Sequence, residues 1–200
     1  MITLKRATPE AVRFACLNFH YAKQVPVCIL SYNVYNEENE WCGCIIFSNG
    51  SLTFAKSLGL ANGEFFELAR VALNGKQPCT SECVAAAIRR VHKDAPQIKA
   101  LVSFADTAQN HYGTIYQATN WIYLGESAGA KYFIVNNRKM HAKSVGNHGW
   151  KENIDWLREN VDSNAILAGG EAKRKYVYFY DKRLRKEWQK KAMPYPKKSV

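Results

Sequence analysis

The sequence predicts an α/β fold built on one mixed sheet with helices on its faces. Three observations carry this. Apolar, strand-like runs recur along the whole chain. Helix-patterned segments fall between those runs rather than after them. Two early runs, 27–35 (VCILSYNVY) and 41–49 (WCGCIIFSN), are separated only by the turn-rich NEENE, which reads as a hairpin and makes the sheet mixed rather than all-parallel. At 200 residues the chain can bury one good core or two small ones.

The elements follow in order. ITLKRAT reads as a first strand and PEAVRFACLNFHYAK as a helix, with Pro9 suited to its first turn and Val12, Cys16 and Phe19 on one face. After the hairpin, LTFAKSLGLANG reads as loop and EFFELARVALNG as a strand stopped by Asn74-Gly75. TSECVAAAIRRVHKDAP is a helix that Thr80 or Ser81 can cap and Pro96 stops. Residues 98–126 then give strand, short polar loop, helix and strand, with His111, Tyr112 and Tyr116 assigned to the helical segment and 121–124 to the closing strand. KYFIVNN reads as a strand, RKMHAKSVGNHG as a polar loop, NIDWLRENV as a short helix, KYVYFYD as a strand, KRLRKEWQKK as a basic helix and MPYPKKSV as a loose end.

Charge is uneven. The net charge is +11, and residues 173–198 hold eleven Lys/Arg against Asp181 and Glu187, a net of +9. Tyr176, Tyr178, Phe179, Tyr180 and Trp188 lie among these cations. Cations near aromatic rings suit a phosphate backbone with rings available for bases, and equally serve as a solubilising tail. The expected phosphate contacts are Lys173, Arg174, Lys175, Arg183, Arg185, Lys186, Lys190 and Lys191. No apolar run approaches the ~18 residues of a membrane span, and MITLKRATPEAV has no apolar signal region. The expectation is therefore a cytoplasmic protein with no membrane partner and its six cysteines reduced. Cys42 and Cys44 are expected on one strand face, and with Cys79 and Cys83 they do not form a zinc pattern. His20, His141 and His148 are scattered, so a metal site assembled from distant residues stays open.

Residues 98–126 are the most informative stretch. An apolar strand ends in a lone acid, Asp106, and ligands of open α/β sheets bind at the carboxyl ends of strands. Asp106 serves either as a cap of the following turn or as a group that accepts a proton. Tyr112 and Tyr116 are four apart, hence on one helix face, with Gly113 between them. They are either core aromatics or phenols able to protonate a leaving group. The start of the helix at Thr80-Ser81 can bind an anion through its N–H groups or be a plain cap. NGKQPCTS does not match the nucleotide-binding pattern G-x-x-x-x-G-K-[ST]. Glu67 and Arg70 are either an ion pair or cleft groups, and Arg70 has the fork geometry for phosphate or carboxylate.

The strand–loop–helix–strand unit, with Tyr116 late on its helix, resembles the final part of GNAT acyltransferases. That resemblance implies a GNAT-like, mostly antiparallel central sheet flanked by helices, with donor phosphates at the start of the helix from Ser81 and a tyrosine that protonates the departing group. NGKQPCTS stands where that superfamily has R/Q-x-x-G-x-G/A. A closer resemblance runs over nearly the whole chain. FHYAK (19–23), ELARVAL (67–73), Ser81, LVSFADTAQNHYGTIYQATNWIYLGE (101–126) and the terminal PYPK (194–197) look like the Mom family of phage DNA-modifying proteins.

That resemblance implies transfer of a small acetamido-type (carbamoylmethyl) group to the exocyclic amine of adenine in double-stranded phage DNA, protecting it from restriction enzymes. It places functional residues at His20, Arg70, Ser81, Asp106 and Tyr116. Asp106, Tyr116, Ser81 and Arg70 are then the expected catalytic set; His20, His111, Tyr112, Tyr32 and Trp121 are expected to bind substrate. An acyl-CoA or a glycine-derived donor is implied, and iron is suggested as a bound metal. The expected division is a GNAT-like catalytic domain over 1–170 and a basic, aromatic-rich segment over 171–200. Two rival classes stand beside this: an N-acyltransferase of a protein or small amine, and a DNA-binding protein without activity.

Overall fold

Four strands form the first half of the main sheet because their sequences alternate or run apolar: β1 (Thr3–Arg6), β2 (Leu30–Tyr35), β3 (Trp41–Ser48) and β4 (Phe65–Leu73). The computed structural model describes residues 2–127, 129, 131–170 and 172–197. Lys198, the last cation of the basic segment, lies outside them. β1 to β4 pair antiparallel in order, and β5 (Ala100–Asp106), β10 (Lys173–Phe179) and β6 (Ile122–Glu126) complete a seven-stranded sheet in the order β1-β2-β3-β4-β5-β10-β6. β4 and β5 are parallel. This is the mixed, mostly antiparallel sheet expected.

Helices cover both faces. On one, α3 (Thr80–Asp94) and α4 (Thr114–Ala118) pack through Cys83, Val84, Ala87, Ile88, Val91 and Tyr116 onto residues such as Tyr32, Phe47 and Leu101. On the other, α1 (Pro9–Phe19) sets Val12, Ala15 and Cys16 against Cys44, Ile46 and Ala72. On that face too, α2 (Leu52–Ser57) and α7 (Lys182–Gln189) cover Ala100, Val102 and Val177. Thr8 caps α1 by accepting the Ala11 N–H, with Pro9 at the first position as expected. α1 ends four residues earlier than its apolar pattern suggests, at an extended His20.

Three local readings change. LTFAKSLGLANG is not all loop: Ser51 accepts the Phe54 N–H and starts α2, one turn and a half too short to show a helical period. Cys42 and Cys44 do not share a face. The β2–β3 register skips Cys42, and Gly43 sits at φ 121, so the bulge resets the alternation. Cys42 joins the α3-side core with Ile45 and Phe47, while Cys44 joins the α1 side with Ile46. Residues 193–196 are not loose: Met193 N–H donates to the Tyr123 carbonyl, Tyr195 Oη to the Trp121 carbonyl and Gln117 Nε2 to the Pro196 carbonyl, while 198–200 lie outside the described residues.

The chain divides into two compact units, and the division is not at residue 170. The first comprises 1–105, 112–125 and 175–200; the second comprises 106–111 and 126–174. The second unit has its own three-stranded antiparallel sheet, β8-β7-β9, from β7 (Lys131–Val135), β8 (Arg138–His141) and β9 (Ile166–Gly169). Asn136 and Asn137, at φ 50 and 60, turn β7 into β8. With α5 (Ala142–Asn147) and α6 (Ile154–Asn160), this sheet encloses Phe133, Val135, Val145, Leu157 and Ala165. RKMHAKSVGNHG, read as loop, therefore holds β8 and α5. Its charges hide a strand because β8 is an edge and keeps them in solvent.

Candidate functional site

β4 and β5 pair only over Phe65–Glu67 with Ala100–Val102, although β4 continues to Leu73. Beyond that pairing their backbones lack a shared ladder, and a side chain takes its place. Ser103, 1% exposed, lies 2.8 Å by its Oγ from the Leu68 carbonyl and 2.8 Å from Tyr116 Oη. The carbonyl can only accept, so it takes the single Ser103 proton, and the Tyr116 hydroxyl donates to Ser103. Burial pushes the Tyr116 phenol up to about 12, and nearby Tyr21 and Glu67 push the same way. The phenol is thus a fully protonated group at neutral pH, able to give a proton but not to act as a base. Ser103 carried no signal in the sequence, since a serine inside an apolar strand reads as a tolerated polar residue.

The same stretch of β4 holds Arg70. Its register with β3 skips Ala69, a bulge that flips the alternation. Val71 and Leu73 then pack on the α3 side and Ala72 on the α1 side, so Arg70 is turned with Ala72 toward α1. Its Nη1 donates to the Ala69 carbonyl at 2.7 Å, while its Nε is buried without a hydrogen-bond partner. A buried guanidinium N–H left over is the donor that an anionic group would satisfy. His20, just past α1, accepts the Ala22 N–H at Nδ1, which leaves Nε2 to carry the proton, and stacks on Tyr21 with centroids 4.4 Å apart. The structure therefore gathers Tyr116, Ser103, Glu67 and Tyr21 around the β4–β5 divergence, with His20 next to Tyr21 in the chain.

At the start of α3 neither Thr80 nor Ser81 is the cap. Cys79 holds that position. Its thiol lies 3.0 Å from Ser81 Oγ, and that contact, with the nearby Glu82 and Ser81 amides, lowers its pKa, although its side chain accepts no capping hydrogen bond. NGKQPCTS thus meets the start of α3 without the glycines of the superfamily's loop, and with the Cys79 thiol against the Ser81 hydroxyl.

The aromatic candidates separate. Tyr112 is not on the helix of Tyr116: Gly113, at φ 72, caps α4, so Tyr112 precedes it. The Tyr112 carbonyl accepts from Tyr176 Oη at 2.6 Å and from Gln117 Nε2 at 2.9 Å. Tyr32 and Trp121, both 0% exposed, are core residues with no open ring face for a base. Tyr32 Oη donates to Asp94, and Trp121 packs on Tyr116 at 5.1 Å.

The basic segment is strand and helix rather than tail. α7 buries its Leu184 and Trp188 side against the core and leaves Lys182, Arg185, Lys186, Gln189 and Lys190 around a shallow depression of about 410 Å³. These positions recur at helical spacing and form one cationic stripe. Arg185 is tied into the structure, donating to the Asn120 carbonyl and lying over Tyr178. Arg183 and Lys191 are exposed. On β10, Lys173 is exposed and Lys175 half-buried.

Within the second unit, Arg174 does not fit a phosphate contact. Its side chain is 15% exposed, with Nε 3.3 Å from the Glu126 carboxylate and Nη1 donating to the His111 carbonyl. Asp106 accepts the Ala108 N–H at 3.0 Å and so caps the 3-10 turn Thr107–Gln109. His111 is exposed beyond that turn. No group of three or more His, Cys, Asp or Glu able to hold a metal lies among the described residues. The residues present do not fit the iron implied by resemblance, and no chemistry is derived through it. Among the described residues no helix is long and apolar enough to cross a membrane.

Comparison with solved structures places this architecture. A phosphinothricin N-acetyltransferase is similar at TM-score 0.51 and 9% identity, covering 91% of this chain and 100% of that one. The spermidine/spermine N-acetyltransferase SpeG from Vibrio cholerae gives 0.50 and 8%, covering 92% and 96%. An aminoglycoside acetyltransferase, solved with coenzyme A and kanamycin, gives 0.51 and 10%, covering 94% and 99%. At these identities the likeness shows the fold, that of GNAT acetyltransferases. No curated protein matches the chain in sequence. The family model that matches is that of the Mom protein family, over residues 1–197. The chain belongs to the Mom protein family.

Proposed function

We propose that this protein transfers a small acetamido-type group to the exocyclic amine of adenine in double-stranded DNA. The observation that carries the reading is a buried, protonated phenol at the β4–β5 divergence of an acetyltransferase fold, in a chain that also bears the cationic stripe of α7. A small-amine acetyltransferase has no use for such a stripe, whereas a DNA backbone does.

Adenine's amine is a weak nucleophile because its lone pair is conjugated into the ring, so alignment with the donor matters most. In the step proposed, the amine nitrogen bonds to the methylene carbon of a donor X–CH2–C(O)NH2, the C–X bond breaks, and the Tyr116 O–H proton passes to the departing X. The resemblance assigns Arg70 a place in the site; its unsatisfied Nε, on the α1 face of β4, is a donor for an anionic group there. The resemblance assigns Asp106 the proton lost by the amine and Ser81 a place in the donor site; the Ser81 hydroxyl as seen here is engaged with Cys79. The target base is unreachable in its stack and is flipped out, with the exposed Tyr21 ring as a surface on which it stacks.

Mass spectrometry of nucleosides from DNA of cells expressing the chain tests this. A deoxyadenosine heavier by one carbamoylmethyl group in place of one hydrogen is the expected product. Tyr116→Phe and Asp106→Asn lower its yield at least about a hundredfold while DNA binding persists. Asparagine keeps the acceptor that caps Thr107–Gln109, so loss in that variant reports chemistry rather than folding. Unmodified adenine in the wild type, with tight DNA binding, identifies a DNA-binding protein without this activity.

A further inference from the structure

We propose that Ser103 is a positioning residue for Tyr116, a hydroxyl rotor that holds the phenol at rest and turns to the phenolate once the proton has left. The proposal rests on the reading of Tyr116 as the proton donor. It comes from the three oxygens at the β4–β5 divergence, where Ser103 Oγ lies 2.8 Å from both the Leu68 carbonyl and Tyr116 Oη.

At rest the hydroxyl has one proton and two neighbours. It gives the proton to Leu68 and accepts from Tyr116, which fixes the direction of the phenol O–H. When Tyr116 transfers its proton, the O–H bond breaks and a phenolate remains. The phenolate has no proton to give, so Ser103 is left as the donor of the pair. Rotation about its Cβ–Oγ bond moves its proton from the Leu68 carbonyl to the phenolate oxygen. No proton leaves Ser103; the two neutral hydrogen bonds of the resting state give way to one charge-assisted bond, about twice as strong as either. Two features make the exchange effective. Ser103 is 1% exposed, so water does not compete for the phenolate. The Leu68 carbonyl lies on β4 past Glu67, where the ladder to β5 has ended, so Ser103 is a side-chain substitute for a sheet bond and can be withdrawn without unpairing the strands.

Glu67 and Tyr21 both oppose ionisation, and Tyr176 packs ring to ring with Tyr116, its own hydroxyl donating to the Tyr112 carbonyl. Among the described residues, Ser103 acts the other way and lowers the cost of the phenolate.

The test compares Ser103→Ala with Ser103→Thr, which restores a hydroxyl. Full-length protein labelled with 3-fluorotyrosine is titrated upward in pH by fluorine NMR, and the Tyr116 resonance is identified by its loss in Tyr116→Phe. The midpoint of that resonance rises by about one pH unit in Ser103→Ala and returns toward wild type in Ser103→Thr. A midpoint unmoved in Ser103→Ala overturns the proposal, whether or not the protein modifies adenine. In cells, modified deoxyadenosine falls about ten- to a hundredfold with alanine and recovers with threonine. Equal loss in both variants at an unmoved midpoint assigns Ser103 a packing role and overturns it as well. Wild-type protein that modifies no adenine, with the midpoint shifted as stated, sinks the reading of the reaction and leaves the coupling standing.

Discussion

An alanine at position 113 would place its Cβ 2.4 Å from the Tyr176 ring, on a backbone already at φ 72. Both facts demand glycine: the left-handed conformation is costly for any other residue, and the ring is itself pinned by its hydroxyl to the Tyr112 carbonyl. Gly113 is therefore the hinge that lets the chain leave Tyr112, start α4 and deliver Tyr116 against Ser103. Gly113→Ala should lower stability by about 2–4 kcal/mol, read as a fall in the urea midpoint at unchanged slope. It should also reduce adenine modification more than the stability loss alone explains. The sequence showed a glycine between two tyrosines and its cost to a helix, but not that the helix begins after it. The reason is that a left-handed cap and a mid-helix glycine look alike when only the spacing of the tyrosines is read. Tyr116 was legible as a phenol late on its helix; its partner Ser103, thirteen residues earlier, was not, because their meeting depends on where β4 and β5 part.

At the level of elements, α7 was legible from composition, and which of its sides faces out came only with the fold. Burial of Leu184 and Trp188 turns Lys182, Lys186 and Lys190 outward as a stripe. Changing these three to glutamine should leave the helix intact, since glutamine is nearly as good a helix former as lysine and the buried side is untouched. DNA affinity should fall, and the slope of log affinity against log salt should flatten by about two to three, near 0.9 for each phosphate that is no longer neutralised. Arg185 is left in place because it also holds the Asn120 carbonyl. An unchanged salt slope would show that the stripe serves solubility. Long, strongly patterned elements such as α3 and β4 were read nearly to their ends. The failures share a cause: α2, β8 and α5 are short, and Cys42 sits on a bulge, so one displaced residue reverses every face assignment downstream.

The whole molecule carries its buried titratable groups on one side of neutrality. Burial pushes the thiols of Cys44 and Cys83 up to about 12 from 9.0, and Tyr116 up to about 12 from 10.0. Burial likewise raises Tyr32 and Tyr180. All are neutral when protonated, and the folded state holds those protons more tightly than the unfolded chain does. Their contribution to stability is thus complete below the unfolded values and is lost as pH rises through 9.0 and 10.0 toward the folded ones. On the acid side Asp94 behaves oppositely: burial would raise it, but hydrogen bonds from Arg90 and Tyr32 outweigh that and lower it, so its contribution fades only as pH falls below 3.8. The expected profile is a melting temperature level from about pH 6 to pH 8.5 and falling steeply above about pH 9, followed by circular dichroism. The net charge of +11 separates two explanations. Self-repulsion of cations weakens as lysines lose protons at high pH, so it would raise the melting temperature there and be damped by salt. A fall above pH 9 that persists in high salt belongs to the buried thiols and phenols, and a flat or rising profile removes them as the determinant.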